Sequence, residues 1–199
     1  MNNNIIKIYD KYILDNLNDF EKVGWGSSES QKKRFEVLSE IGNLNNCSIL
    51  DIGCGTGAFY KHLDNLYHDI NYTGIDINEN MVKIAKQTFP ETTFFCIDIL
   101  NKVENEIKNR KFDYIFLSGV LNLSINNHEA MVSDMMKKMF DLSIKGIALN
   151  FLSMHADFFS AGECYLNPEK ILSAALMIDR KVTLRHDYMP HDFTVYIFK

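Results

Sequence analysis

Apolar residues recur at two periods along the chain, and the switch between them marks out its elements. Ile5, Ile8, Tyr9, Tyr12, Ile13 and Leu17 keep helical spacing on one face. A second helix is predicted through Phe35, Leu38 and Ile41, capped by a serine between positions 27 and 30. From residue 47 onward, strand and helix patterns alternate. CSILDIG, YTGID, TTFFCID, KFDYIFLSG and KGIALNFLS read as buried strands. Between them lie a helix from Gly57 to Leu66, the helix NENMVKIAKQTF ending before Pro90, and the helix NHEAMVSDMMKKMFDL. Residues 101–109 give only a weak helical pattern. PEKILSAALMI forms a last helix with Pro168 in its first turn. VTLRHDYM and DFTVYIFK are separated by PH alone, too little for a crossover, so these two pair antiparallel.

This alternation predicts an α/β fold: a doubly wound, Rossmann-like, mostly parallel seven-stranded sheet with an antiparallel last strand and helices on both faces. A length of 199 residues suits one compact unit. Within it, residues 1–46 form an N-terminal helical lid segment and residues 47–199 the main domain.

Composition narrows the function classes. The formal net charge is -5 with both signs interspersed, which argues against a duplex DNA binder and also against RNA. Cys47, Cys54, Cys96 and Cys164 form no C-x-x-C pair, so neither a structural zinc site nor a disulfide framework is expected, and no metal is predicted. The N-terminus lacks a basic start followed by an apolar run, and no stretch reaches the length of a membrane span. The expectation is a cytoplasmic protein with reduced thiols and no membrane partner.

Chemistry concentrates at SILDIGCGTGAFY. A strand ends at Asp51-Ile52, and the chain passes through Gly53, Cys54, Gly55, Thr56 and Gly57 into a helix. Glycine there permits positive φ and lets the main chain touch a ligand. The carboxyl end of a strand is where open α/β sheets bind ligands. The spacing G-x-G-x-G matches neither the dinucleotide fingerprint nor a phosphate-binding loop. Asp76 ends the second strand in GIDIN, where an acid accepts from ribose hydroxyls, and Asp98 in CIDIL ends the third, within reach of an adenine amino group.

LDIGCGTG, GIDIN, CIDIL and FDYIFLSGVLN together resemble the class I S-adenosylmethionine-dependent methyltransferases, over roughly residues 46–152. The resemblance implies S-adenosyl-L-methionine as cofactor and S-adenosyl-L-homocysteine as product. It implies that Asp51 meets the methionine amino group, and that Gly53 and Gly55 meet the amino-acid and ribose portion, with Cys54 and Gly57 completing the loop. Asp76 then holds the ribose, Asp98 and Ile99 the adenine, and Ile77 and Met81 flank that ring. Ser118 and Gly119 lie beneath the methionine end. GWGSSESQKKRF looks like the lid of small bacterial members that act on small metabolites or surface-glycan sugars, which makes Trp25 either a lid over the cofactor or a core plug.

The expected reaction is methyl transfer to an oxygen, less readily a nitrogen, of a small metabolite, activated sugar or anionic metabolite. The fourth strand lacks the [DN]-P-P-[YF] signature of DNA amino methylation. A catalytically silent cofactor-binding partner and a protein or RNA methyltransferase stand as alternatives. Candidate bases are Asn122, Asn126 and His128 after the fourth strand, and His155, Asp157, Glu163 and Tyr165 after the fifth. His155 is preferred because it follows its strand closely and titrates near neutrality, against the competing reading of an exposed loop histidine. Arg34 and Lys33 either meet an anionic substrate group or belong to a solvated helix face.

Overall fold

A computed structural model describes residues 2–14, 27–100, 107, 109–123 and 128–199. Among the described residues, two helices precede the sheet: α1 (Asn2–Leu14) and α2 (Ser28–Ser39). Ser27 caps α2 by accepting from the Ser30 N–H at 3.1 Å. Strands β1 (Ser48–Ile52), β2 (Asn71–Asp76) and β3 (Thr93–Cys96) alternate with α3 (Ala58–Asp64) and α4 (Glu79–Thr88). Then follow β4 (Phe112–Leu117), α5 (His128–Leu142), β5 (Ser143–Ser153), β6 (Tyr165–Leu166) and α6 (Pro168–Leu176). The chain closes with β7 (Val182–Arg185) and β8 (Asp192–Phe198).

The strands run in the order β3-β2-β1-β4-β5-β8-β7, with β6 paired to β5 off this path. Pairs from β3 to β5 are parallel, and β8 lies antiparallel between β5 and β7. The mixed α/β sheet predicted from alternation is therefore the one formed. The eighth strand, β6, contributes only two residues, too few to leave a period in the sequence.

Each strand sends alternate residues to opposite faces. Leu50, Ile115 and Leu149 pack beneath α5 and α6 with Val132, Met136 and Ile171. Ile49, Phe116 and Ala148 face α2, α3 and α4 through Leu38, Phe59 and Ala85. With both faces covered, the carboxyl ends of β1 to β4 form one open edge.

α1 reaches that edge through a polar contact at the start of α4. The Asn78 side chain accepts from the Asn80 and Met81 N–H groups as the α4 cap, and its amide donates to Asp10 of α1 at 3.0 Å. Asn80 donates to the same Asp10 oxygen at 2.9 Å. Among the described residues, no helix is long and apolar enough to cross a membrane.

Candidate active site

The glycine loop leaves β1 in a conformation few residues adopt. Gly53, Gly55 and Gly57 have φ of 75°, 52° and 88°. The Gly53 and Cys54 N–H groups both donate to the Ile75 carbonyl, at 2.8 and 3.1 Å, which ties the loop to the end of β2. A Cβ added at Gly53 would lie 2.0 Å from a Val120 methyl carbon, so the loop after β4 closes over a bare backbone. Gly53→Ala is expected to lose about 1–3 kcal/mol of stability, from the left-handed φ and the overlap together. An unchanged urea midpoint would mean that the turn accepts a side chain.

This loop forms one wall of a cavity of ≈ 160 Å³ at the open edge, room for far more than a single water. From β1 and the loop, Asp51, Gly53, Cys54 and Gly55 line it. Asp76 and Ile77 line it from β2, with Met81 behind them on α4. Asp98 and Ile99 follow β3, and Ser118 and Gly119 follow β4. Gly57 is outside the lining and serves instead as the N-cap of α3. Trp25 and Asn126 lie outside the described residues.

Sequence reasoning did not single out every lining group. Ile6 and Tyr9 reach in from α1, Gln31 and Phe35 from α2, and Met131 and Met135 from α5. The Gln31 Nε2 is buried with no hydrogen-bond partner among the described residues. Asn150, 1 % exposed in β5, accepts from the Gly119 N–H at 3.1 Å and donates to Ser118 Oγ at 3.2 Å, which shapes the turn after β4. A lone amide inside the apolar run IALNFLS was the signal available for it.

The carboxylates are set by distinct partners. One Asp76 oxygen accepts from the Gly55 N–H and the other from the Asn78 N–H, each at 2.9 Å. Burial raises the Asp76 pKa, and the N–H groups of Asn78, Gly55 and Ile77 oppose that rise. Asp51 is 2 % exposed, and Tyr72 donates its hydroxyl to one of its carboxylate oxygens. Burial pushes the Asp51 pKa up to about 7 against that hydrogen bond, with the Asp76 charge adding to the rise. Burial, then the charges of Asp76 and Asp51, push the Cys54 thiol well up, so it is an inert turn residue.

The candidate bases among the described residues lie outside the cavity lining. His155 does not line the cavity: its Nε2 lies 3.4 Å from Glu169 at the start of α6, and its ring stands edge-on to His186. The physical reason is the turn after Ser153, whose Oγ accepts the His155 N–H and directs the ring toward α6 and the β7–β8 connection. Glu163 and Tyr165 bind each other at 2.6 Å, and His128 is buried at the start of α5. Arg34 is not a solvated or substrate-facing cation. It is buried on Asp192 of β8, at 2.8 Å from Nε and 2.7 Å from a terminal guanidinium nitrogen.

Known proteins place the chain by sequence and by fold. Residues 50–142 match the family model described as a methyltransferase domain. A candidate methyltransferase of Mycobacterium tuberculosis is 26% identical over 162 residues, covering 76% of this chain and 93% of that protein. A malonyl-[acyl-carrier protein] O-methyltransferase of Acetivibrio thermocellus is 37% identical over 90 residues, 43% of this chain and 30% of that one. A tRNA (guanine-N(7)-)-methyltransferase of Prochlorococcus marinus is 31% identical over 126 residues, 63% of this chain and 49% of that one. The chain thus spans less than half the length of the last two relatives. Magnesium protoporphyrin IX methyltransferase from Synechocystis, solved with bound S-adenosylmethionine, superposes with a TM-score of 0.63 at 19% identity, covering 86% of this chain and 78% of that one. The family-model match, the relatives and the fold together support a class I S-adenosylmethionine-dependent methyltransferase.

Proposed function

We propose that the cavity binds S-adenosylmethionine and that the protein transfers its methyl group to an oxygen, in second place a nitrogen, of a small metabolite or surface-glycan precursor. The observation that carries this reading is the pair of N–H groups, from Gly55 and Asn78, that fix both Asp76 oxygens at the cavity wall. A carboxylate so held presents its remaining lone pairs to two neighbouring hydroxyls, which is what a ribose offers.

The other lining groups fit the rest of that ligand. Asp51 is a partner for an ammonium, and the Gln31 amide, unpaired among the described residues, is a donor for a carboxylate. Ile77, Ile99 and Met81 are apolar surfaces for a base, with Asp98 beside them. When bound, the cofactor supplies a sulfonium-borne methyl group for in-line displacement. The chain's own contribution is to align and to keep water out: Ile6 and Tyr9 of α1 and Phe35 of α2 cover the cavity. In this reading residues 1–46 act as the lid. His155, engaged with Glu169, is not assigned the proton transfer.

Calorimetric titration with S-adenosylmethionine and S-adenosylhomocysteine is the first test, with saturable one-site binding expected for both. A metabolite extract supplied with methyl-labelled cofactor is expected to gain label in a small-molecule fraction. Absence of binding overturns the reading. Binding with label entering only RNA or protein, or entering nothing, replaces the small-molecule acceptor by those alternatives. His155→Ala is expected to leave both readouts within about twofold.

A further inference from the structure

Tyr72 is a buried phenol beneath the cofactor cavity that does not line it, and the reading above gives it no role. β1 and β2 pair in parallel with Ile49 opposite Tyr72 and Asp51 opposite Gly74. Tyr72 and Asp51 are thus diagonal neighbours on one sheet face, a separation that an aromatic side chain spans. The intervening site is glycine: a Cβ at Gly74 would lie 2.6 Å from the Phe94 ring and 2.9 Å from Cys54 Sγ. The Tyr72 ring is fixed by Tyr60 of α3 at 5.0 Å and by Phe94 of β3 at 5.9 Å between centroids. Its hydroxyl ends on one oxygen of Asp51, whose carboxylate is on the cavity wall.

On the reading that this cavity holds S-adenosylmethionine, we propose that Tyr72 is a positioning residue: its hydroxyl fixes the Asp51 carboxylate as the acceptor for the cofactor's α-ammonium group. A carboxylate at the floor of an apolar pocket has two ways to fail as a cation site. It can rotate away, or it can take up a proton. A phenol that donates to one oxygen and is clamped by two rings opposes both, because a hydrogen bond to the charged form favours that form. The other oxygen stays directed at the ligand.

The titratable groups facing Asp51 are Asp76 at the end of β2, Cys54 in the loop and Tyr72 itself, with Tyr60 behind the phenol. Asp76 and burial favour the protonated acid, and the Tyr72 hydrogen bond is the group that opposes them. Ammonium binding needs the ionised acid, so affinity for an amino-acid-bearing ligand rises with pH through about 7. Without the phenol that rise moves to higher pH.

The test compares two ligands on Tyr72→Phe, which keeps the ring and removes only the hydroxyl. S-adenosylhomocysteine carries the ammonium; 5′-methylthioadenosine keeps the adenosine and the thioether but lacks the amino acid. At pH 7 the variant is expected to bind the first roughly tenfold more weakly and the second within about twofold, as one hydrogen bond to a charged group implies. Its affinity-against-pH curve for S-adenosylhomocysteine is expected to shift to higher pH. Asp51→Asn is expected to remove the Tyr72-sensitive part of that pH dependence, leaving only the part set by Asp76, and adding Tyr72→Phe to it to cost nothing further, since both changes break one interaction. Equal weakening of both ligands would make Tyr72 a packing residue and overturn the proposal, as would no weakening of either. A wild-type protein that binds neither ligand overturns the cofactor reading, and this proposal with it, whereas the variant results bear on Tyr72 alone.

Discussion

Asp76→Ala is expected to raise the dissociation constant for S-adenosylmethionine at least about a hundredfold. Hydrogen bonds from two ribose hydroxyls to one ionised carboxylate are worth about 1.5–3 kcal/mol each, so losing both spans two or more decades. The main-chain N–H groups of Gly55 and Asn78 would lose their shared acceptor as well, which loosens the loop that the ligand rests on. Because the ribose is common to both ligands, the variant should lose S-adenosylhomocysteine and 5′-methylthioadenosine alike, unlike Tyr72→Phe. Thermal stability should fall little. Burial already disfavours the Asp76 charge, and removing it relieves that penalty while the N–H groups turn to solvent. The raised pKa also sets a sign: affinity falls as the pH drops and Asp76 takes up a proton. Titration calorimetry on the refolded variant decides the matter. Wild-type affinity in Asp76→Ala would make the carboxylate a cap for its own turn and nothing more.

How much of this was legible in the sequence follows from what a one-dimensional pattern encodes. Alternating strand and helix periods specify the parallel sheet, and the PH break specifies the antiparallel pair β7–β8. Glycines at alternate positions and acids at strand ends mark the cavity because ligands gather where strands stop. Contacts made across the sheet leave no such mark. Tyr72 reaches Asp51 only through the register of β1 on β2, and Asn150 reaches Ser118 and Gly119 only because β5 lies beside β4. His155 illustrates the limit from the other side. Its position two residues past β5 suggested the site, yet the direction of a turn, here set by Ser153, decides where a side chain points. Arg34 sits in a lysine-rich stretch that reads as a solvated face, and its partner is distant in sequence.

That partner supports the second large prediction. Arg34→Ala is expected to cost about 3–5 kcal/mol, the range for removing one member of a buried ion pair. Side-chain exposures of 6% for Arg34 and 1% for Asp192 put the pair in that class rather than among surface bridges worth under about 1 kcal/mol. The cost depends on pH in a definite sense. Burial raises the Asp192 pKa while Arg34 lowers it, so losing the arginine raises it further above the unfolded value. A group raised in the folded state contributes stability that is present at acid pH and lost as the pH climbs through its folded pKa. The deficit of Arg34→Ala in urea unfolding is therefore expected to be larger at pH 8 than at pH 5. Adding Asp192→Asn should recover much of it by removing the stranded charge. The pair also has a bearing on function, because it fastens α2 to β8, helped by Tyr196 donating to the Val37 carbonyl and by Arg185 on Glu40. The same helix carries Gln31 and Phe35 into the cavity, so a loosened α2 should weaken cofactor binding in step with the loss of stability. A loss below about 1 kcal/mol, flat with pH, would mean that water reaches the pair and that α2 is held by its apolar face alone.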